Sequence, residues 1–336
     1  MTKRNLSLRT KPFLLKPALK ERIWGGSRLK DDFGKNADFE NLGETWECST
    51  HPDGPSLIVS GEYSGKYLDE VLKQHPEYLG THPRLEGELP ILIKLIDAKS
   101  DLSVQVHPDD EYAMKNENGS LGKTEMWYVL DAAKNSELVY GLRRDIDSKK
   151  LRKSIHDGTI EKHLQRVKIN SDDVFYIEAG TIHAIGAGAL IAEIQESSNL
   201  TYRLYDYNRL DKNGKPRELH IDKALDVANL HESPEPGQPL RVLKYRPGCA
   251  SELLCRCKYF QVERWLINTE RCRDMVDFST GSNSFNVLLC TNGCGALFET
   301  KSGDTIRFFR GDCIFIPANS VELKIHGRAK FLRVSC

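Results

Sequence analysis

Asp173-Val174-Phe175-Tyr176-Ile177-Glu178-Ala179-Gly180-Thr181-Ile182-His183 returns in altered form, 139 residues on, as Asp312-Cys313-Ile314-Phe315-Ile316-Pro317-Ala318-Asn319-Ser320-Val321-Glu322. Each copy opens on an acidic residue, runs through a β-rich apolar strand into a tight turn, and starts a second strand. The recurrence predicts two related β units. A looser match sets Val129-Leu130-Asp131 against Leu289-Cys290-Thr291, an offset of 160, so the first copy carries 21 more residues than the second. That surplus falls on 148–155, Gly158 and 161–167, where Leu151 and Ile155 stand at i, i+4 and Gly158 is a helix stop. It predicts a short helical insert at about 144–167.

Around this repeat lie short β-rich runs at 57–59, 91–95, 104–106, 126–130, 138–140, 175–177 and 190–194, separated by Gly, Pro, Asn and Asp. Such spacing predicts a mainly β protein, an antiparallel sandwich or barrel rather than alternating β and α units. Three prolines in Glu232-Ser233-Pro234-Glu235-Pro236-Gly237-Gln238-Pro239 resist both helix and central strand. The expected division is therefore 1–232 and 240–336.

Composition narrows the function classes. The 336 residues carry 48 Lys plus Arg and 48 Asp plus Glu, so no basic field exists to attract nucleic acid or anionic lipid. Neither is an expected partner. No apolar stretch is long enough to span a bilayer, and no apolar core follows the basic residues in Met1-Thr2-Lys3-Arg4-Asn5-Leu6-Ser7. These features predict a cytoplasmic protein. Of nine cysteines, eight fall between Cys249 and Cys336 with no C-x-x-C pair, which points to reduced thiols rather than a disulfide framework or a cysteine-rich zinc site.

Chemistry concentrates at three places in the first unit. If 104–107 is extended, the period of two turns Gln105 and His107 to one face and Val104 and Val106 to the other. Glu125 leads a second strand, and His183 follows the Ala179-Gly180 turn onto a third. Any one of these alone reads as a packed polar residue. Together, an inward Q-x-H, a strand-leading Glu and a histidine after a turn form a mixed oxygen and nitrogen donor set for a divalent metal.

The residues also carry a resemblance. Leu42-Gly43-Glu44-Thr45-Trp46-Glu47, the run Pro90 to Ala98, Leu102 to Asp109, Gly122-Lys123-Thr124-Glu125, Ala179 to Ala184 and Glu193 to Asp206 occur in an order that resembles class I mannose-6-phosphate isomerases of the shorter bacterial form. The likeness runs from about Pro12 to about Ala228. It implies two cupin (jelly-roll) β-barrel domains, one zinc ion per chain, and reversible interconversion of mannose 6-phosphate and fructose 6-phosphate. The implied ligands are Gln105, His107, Glu125 and His183, and the implied catalytic arginine is Arg203.

A sugar phosphate is then the expected partner. Lys123 joins Arg203 as an expected catalytic group, and Ser103, Lys94 and Glu44 are expected to contact substrate. Glu44, Glu196, Asp206 and Lys123 all remain open as the proton-transferring base. For Arg203 the competing reading is an ion pair with Asp206 at a strand end. The alternative functions are a cupin metalloenzyme of other chemistry, such as another sugar-phosphate isomerase or an oxygenase, and a non-catalytic sugar sensor. In the second copy Glu322 stands where the first has His183, and the looser match sets Phe285 against Glu125, so that domain is expected to bind no metal.

Overall fold

The computed structural model describes residues 9–82, 88–211, 213–272 and 274–336; the basic Met1–Ser7 segment lies outside them. The chain is mainly β and separates into two compact units, one formed by 19–46 and 91–239, the other by 1–18, 47–90 and 240–336.

The first of these units stacks two antiparallel sheets. Six strands run in the order Val174–Ile177, Glu125–Ala132, Ala189–Glu196, Ile91–Asp97, Leu42–Cys48 and Ala18–Gly26, and five in the order Tyr202–Tyr205, Val104–Val106, His183–Ile185, Glu137–Leu142 and Leu164–Lys168. Alternation decides which residues face inward. Trp127, Val129, Ile191 and Ile96 meet Ile185, Leu138 and Phe175 in a shared apolar cluster. Val104, Val106, Ala184, Tyr202 and Leu204 belong to a second cluster, with Leu151 and Ile155 of the Ser148–His156 helix and Ala224 of the Ile221–Val227 helix. Gln105, His183 and Arg203 therefore point away from the helices and into the space between the sheets.

The insert is smaller than its sequence surplus. Asp147 caps the Ser148–His156 helix by accepting from the Lys150 amide, and Gly158 at φ 66° ends the excursion. A 3-10 turn follows at Ile160–Lys162. From Leu164 onward the chain is a strand paired with Glu137–Leu142, so the helical part stops short of the 167 expected. Alternation of Leu164 and Arg166 against a waiting strand edge outweighs helix propensity there.

The other unit is one ten-stranded antiparallel sheet whose main path runs from Lys244–Arg246 through the long strands Leu323–Ser335 and Asn286–Glu299 to Cys313–Ile316, Phe13–Lys16 and Leu57–Ile58. Its core includes Trp265, Leu288, Cys290, Phe308, Ile325 and Phe331. The Phe13–Lys16 strand pairs with Cys313–Ile316 in the register Phe13↔Phe315. That pairing is why 1–18 groups with 240–336, where the continuous division placed it with 1–232. The later changeover, at Pro239/Leu240, sits at the end of the proline-rich segment.

Candidate metal centre and substrate pocket

Backbone register brings the separated motifs together. His183 pairs with Gln105, and Gln105 with Arg203, across adjacent strands of the five-stranded sheet. On the six-stranded sheet Glu125 pairs with Gln195 and Trp127 with Glu193. One donor atom from each of His107, Glu125 and His183 lies within 4.8 Å of the others, and all three side chains are buried.

The donor states suit a cation. His183 donates from Nδ1 to the Thr181 carbonyl at 2.8 Å, which leaves a lone pair on Nε2. The Gln105 amide lies 3.3 Å from that Nε2. Burial, then the nearby Lys123 ammonium, pushes His107 down to about 3, and burial also lowers His183. Both imidazoles are therefore neutral, the metal-binding form. Burial works to raise the Glu125 carboxyl, but Lys123 and then His107 hold it well below the usual carboxylate range. Lys123 Nζ is 2.7 Å from Glu125 Oε1 and 3.0 Å from His107 Nε2. Even so, neither Glu125 oxygen nor His107 Nδ1 has an aligned hydrogen-bond partner among the described residues. Lys123 balances the charge of the Glu125 carboxylate, while the hydrogen-bonding positions of both its oxygens stay open to a divalent ion.

A cavity of about 410 Å³ lies beside this trio: His107, Glu125 and His183 do not line it, but Gln105 and Lys123, which contact His183 and Glu125, do. Ser103, Lys94, Glu44, Lys123, Gln105 and Arg203 all line it, and Trp24 stands at its wall. Lys94 is buried and pairs with Glu193 at 2.9 Å, with its ammonium 5.4 Å from the Trp46 ring centre. Burial works to lower Lys94, but Glu193 and then Glu44 outweigh it and raise it. Glu44 holds Arg22 at 2.8 Å and accepts from the Trp46 indole; burial opposes ionisation, yet Arg22 and Lys94 bring its carboxyl down to about 2. Glu44 is therefore a fixed anion.

Arg203 does not pair with Asp206. Its Nε reaches Ser103 Oγ at 3.3 Å and its Nη1 the Glu218 carbonyl at 2.7 Å, while Asp206 is taken by Arg209 and Arg217. Asp206 and Glu196 do not line the cavity. Glu196 is buried and accepts from the Thr124 amide at 2.8 Å, and its carboxyl is pushed up to about 8 by burial and then by Asp110. Gly186-Ala187-Gly188 forms the turn between the His183–Ile185 and Ala189–Glu196 strands, with Gly188 at φ 85°.

Sequence reading passed over Glu193, Arg22 and Arg217. Glu193 is buried between Lys94 and the Trp127 indole, which donates to its Oε2 at 2.9 Å. Its signal was available: in Ile191-Ala192-Glu193-Ile194-Gln195 a charge occupies the same face as Ile191, toward the core.

The second copy is also open to comparison. Val174–Ile177 and Cys313–Ile316 match strand for strand at the offset of 139. Their partners do not match at 160: Ile177 faces Glu125, but Ile316 faces Asn286. The counterpart of Glu125 is therefore Asn286, not Phe285, and the one-residue slip turns the side chains over. Asn286 accepts from Arg333, and Glu322 is exposed against Arg9.

Residues 13–153 match the family described as phosphomannose isomerase type I, catalytic domain, and residues 251–336 match mannose-6-phosphate isomerase, cupin domain. Mannose-6-phosphate isomerase ManA of Bacillus subtilis is 38% identical over 96% of this chain and 98% of its own. A mannose-6-phosphate isomerase of Streptococcus mutans is 39% identical over 76% of this chain and 79% of its own. The crystal structure of the mannose 6-phosphate isomerase from Bacillus subtilis superposes with a TM-score of 0.88 at 38% identity, covering 97% of this chain and all of that one.

Proposed function

The chain belongs to the type I phosphomannose isomerase family, with mannose-6-phosphate isomerase as its activity, and from that premise we propose that the reaction runs in the cavity that Gln105 and Lys123 connect to His107, Glu125 and His183. The observation that carries the reading is the buried Glu125 carboxylate, which has no aligned hydrogen bond and lies between two neutral imidazoles. His107, Glu125 and His183 would hold one zinc ion, and Gln105 would join through its amide oxygen once the amide turns over. When bound, the ion supplies Lewis-acid stabilisation of the negative charge that develops on the sugar oxygens.

Exchange of aldose and ketose moves a proton between C1 and C2 through an enediol. Lys123, at the cavity wall and 2.7 Å from Glu125, is placed to hold a proton against the oxygen that is gaining or losing it. Arg203 adds a fixed positive charge on the other side of Gln105, anchored through Ser103 and the Glu218 carbonyl. Lys94 and Glu44, locked in ion pairs with Glu193 and Arg22, present a rigid polar wall to the hydroxyls, and Ser103 offers its own hydroxyl. Trp24 and Ile96 in the same wall limit water.

A sugar phosphate is the expected substrate. Among the described residues no helix is long and apolar enough to cross a membrane. Nine free thiols fit a reducing compartment, and we place the protein in the cytoplasm. Purified protein should interconvert mannose 6-phosphate and fructose 6-phosphate, lose that rate on chelation and regain it with zinc. Zinc-replete protein that turns over neither hexose phosphate would refute the assignment.

A further inference from the structure

We propose that Arg217, braced by Asp206, is the phosphate anchor of the cavity, and that it selects phosphorylated over neutral sugars. The inference rests on the isomerase reading and adds a residue to it. Charge matching within the cavity carries the argument. Two of its cations each have a carboxylate of their own: Arg22 holds Glu44 at 2.8 Å, and Lys94 holds Glu193 at 2.9 Å. That region is close to neutral.

At the other end the balance fails. Asp206 is shared between Arg217, whose Nε it accepts at 2.7 Å, and Arg209. Arg203 has no carboxylate within ion-pair distance among the described residues and bonds instead to a hydroxyl and a carbonyl. Arg209 and Arg217 thus share one carboxylate and Arg203 has none, and of the three Arg203 and Arg217 line the cavity. Arg217 commits only Nε and Nη2 to Asp206, so its Nη1 is without a partner among the described residues. A guanidinium held on one edge by a carboxylate presents its remaining donors in a fixed fork, which suits the oxygens of a phosphate.

Position agrees with charge. Ser103 lies two residues before Gln105, roughly 6–7 Å along an extended chain, and Arg203 leans to Ser103 rather than to the metal ligands. Register sets Gln105 between His183 and Arg203, and Gln105, Arg203 and Arg217 all line the cavity. With the reacting carbons beside Gln105, the phosphate would lie at Arg217.

Titration calorimetry with inorganic phosphate, together with KM for mannose 6-phosphate, tests this. Arg217→Gln should weaken both by about tenfold to a hundredfold, the usual effect of losing a charge-assisted hydrogen bond, while the protein still binds zinc. Arg217→Lys keeps the charge but not the fork, and should recover part of both affinities; it serves equally where the glutamine variant folds poorly. Unchanged phosphate binding in these variants, or no phosphate binding by the wild type, would overturn the proposal. The phosphate titration needs no turnover, so an inactive wild type that still bound phosphate through Arg217 would sink the isomerase reading alone.

Discussion

Arg203 lines the cavity and His183 lies behind Gln105 at its edge, and the two hold different things. His183 offers a lone pair to the ligand trio, fixed by its bond to Thr181, so His183→Ala should lose metal and activity together, as metal analysis and the isomerase assay would show. Arg203 touches no member of the trio, so Arg203→Ala should keep the metal and lose rate by about 100- to 1,000-fold; full rate would remove it from the mechanism. Legibility differed in the same way. The alternation of Gln105 and His107 against Val104 and Val106 could be read from the chain because a strand sorts its faces locally. Arg217 could not. It sits in Gly214-Lys215-Pro216-Arg217, a stretch that reads as a solvated turn, and enters the cavity only because Asp206 draws it back from eleven residues away.

At the scale of elements, Glu196 ties the end of the Ala189–Glu196 strand to the residue before Glu125. Two bonds make the tie: the Thr124 amide donates to the Glu196 carboxyl, and the Glu196 amide donates to the Thr124 carbonyl. Because the folded carboxyl titrates at about 8 against an ordinary 4.5, the unfolded chain sheds its proton first as pH rises. The associated stability is full below pH 4.5 and is lost as pH climbs through 8. Glu196→Gln retains an acceptor for Thr124 and cannot ionise, so its melting temperature should fall less between pH 5 and 8 than that of the wild type. Parallel melting profiles would show that Glu196 does not control this dependence. Apolar runs announced the strands, but not the partner register: the loose 160-residue match missed the Asn286 pairing by one position. Register is set by contacts with the opposite strand, which leave no local trace.

For the whole molecule, the most consequential pairing is the least visible in sequence. Phe13 and Leu15, both buried, sit in a strand hydrogen-bonded to Cys313–Ile316. Deleting the chain through Lys16 should cost about 3–6 kcal/mol from those two side chains alone, a large share of the roughly 5–15 kcal/mol that holds a domain folded. Calorimetry of the truncated protein checks this, and an unchanged melting transition would contradict it. The repeat revealed that there are two β units, yet nothing near residue 13 marks it as a strand of the sheet built from 240–336. The pairing also sets a timetable. At about 5–20 residues per second, some 15 to 60 seconds of synthesis separate the making of Phe13 from that of Phe315. For most of that interval this strand has only the two-residue Leu57–Ile58 partner on one side, and its other apolar edge depends on chaperones or on its own shortness to stay open until the far end of the chain arrives.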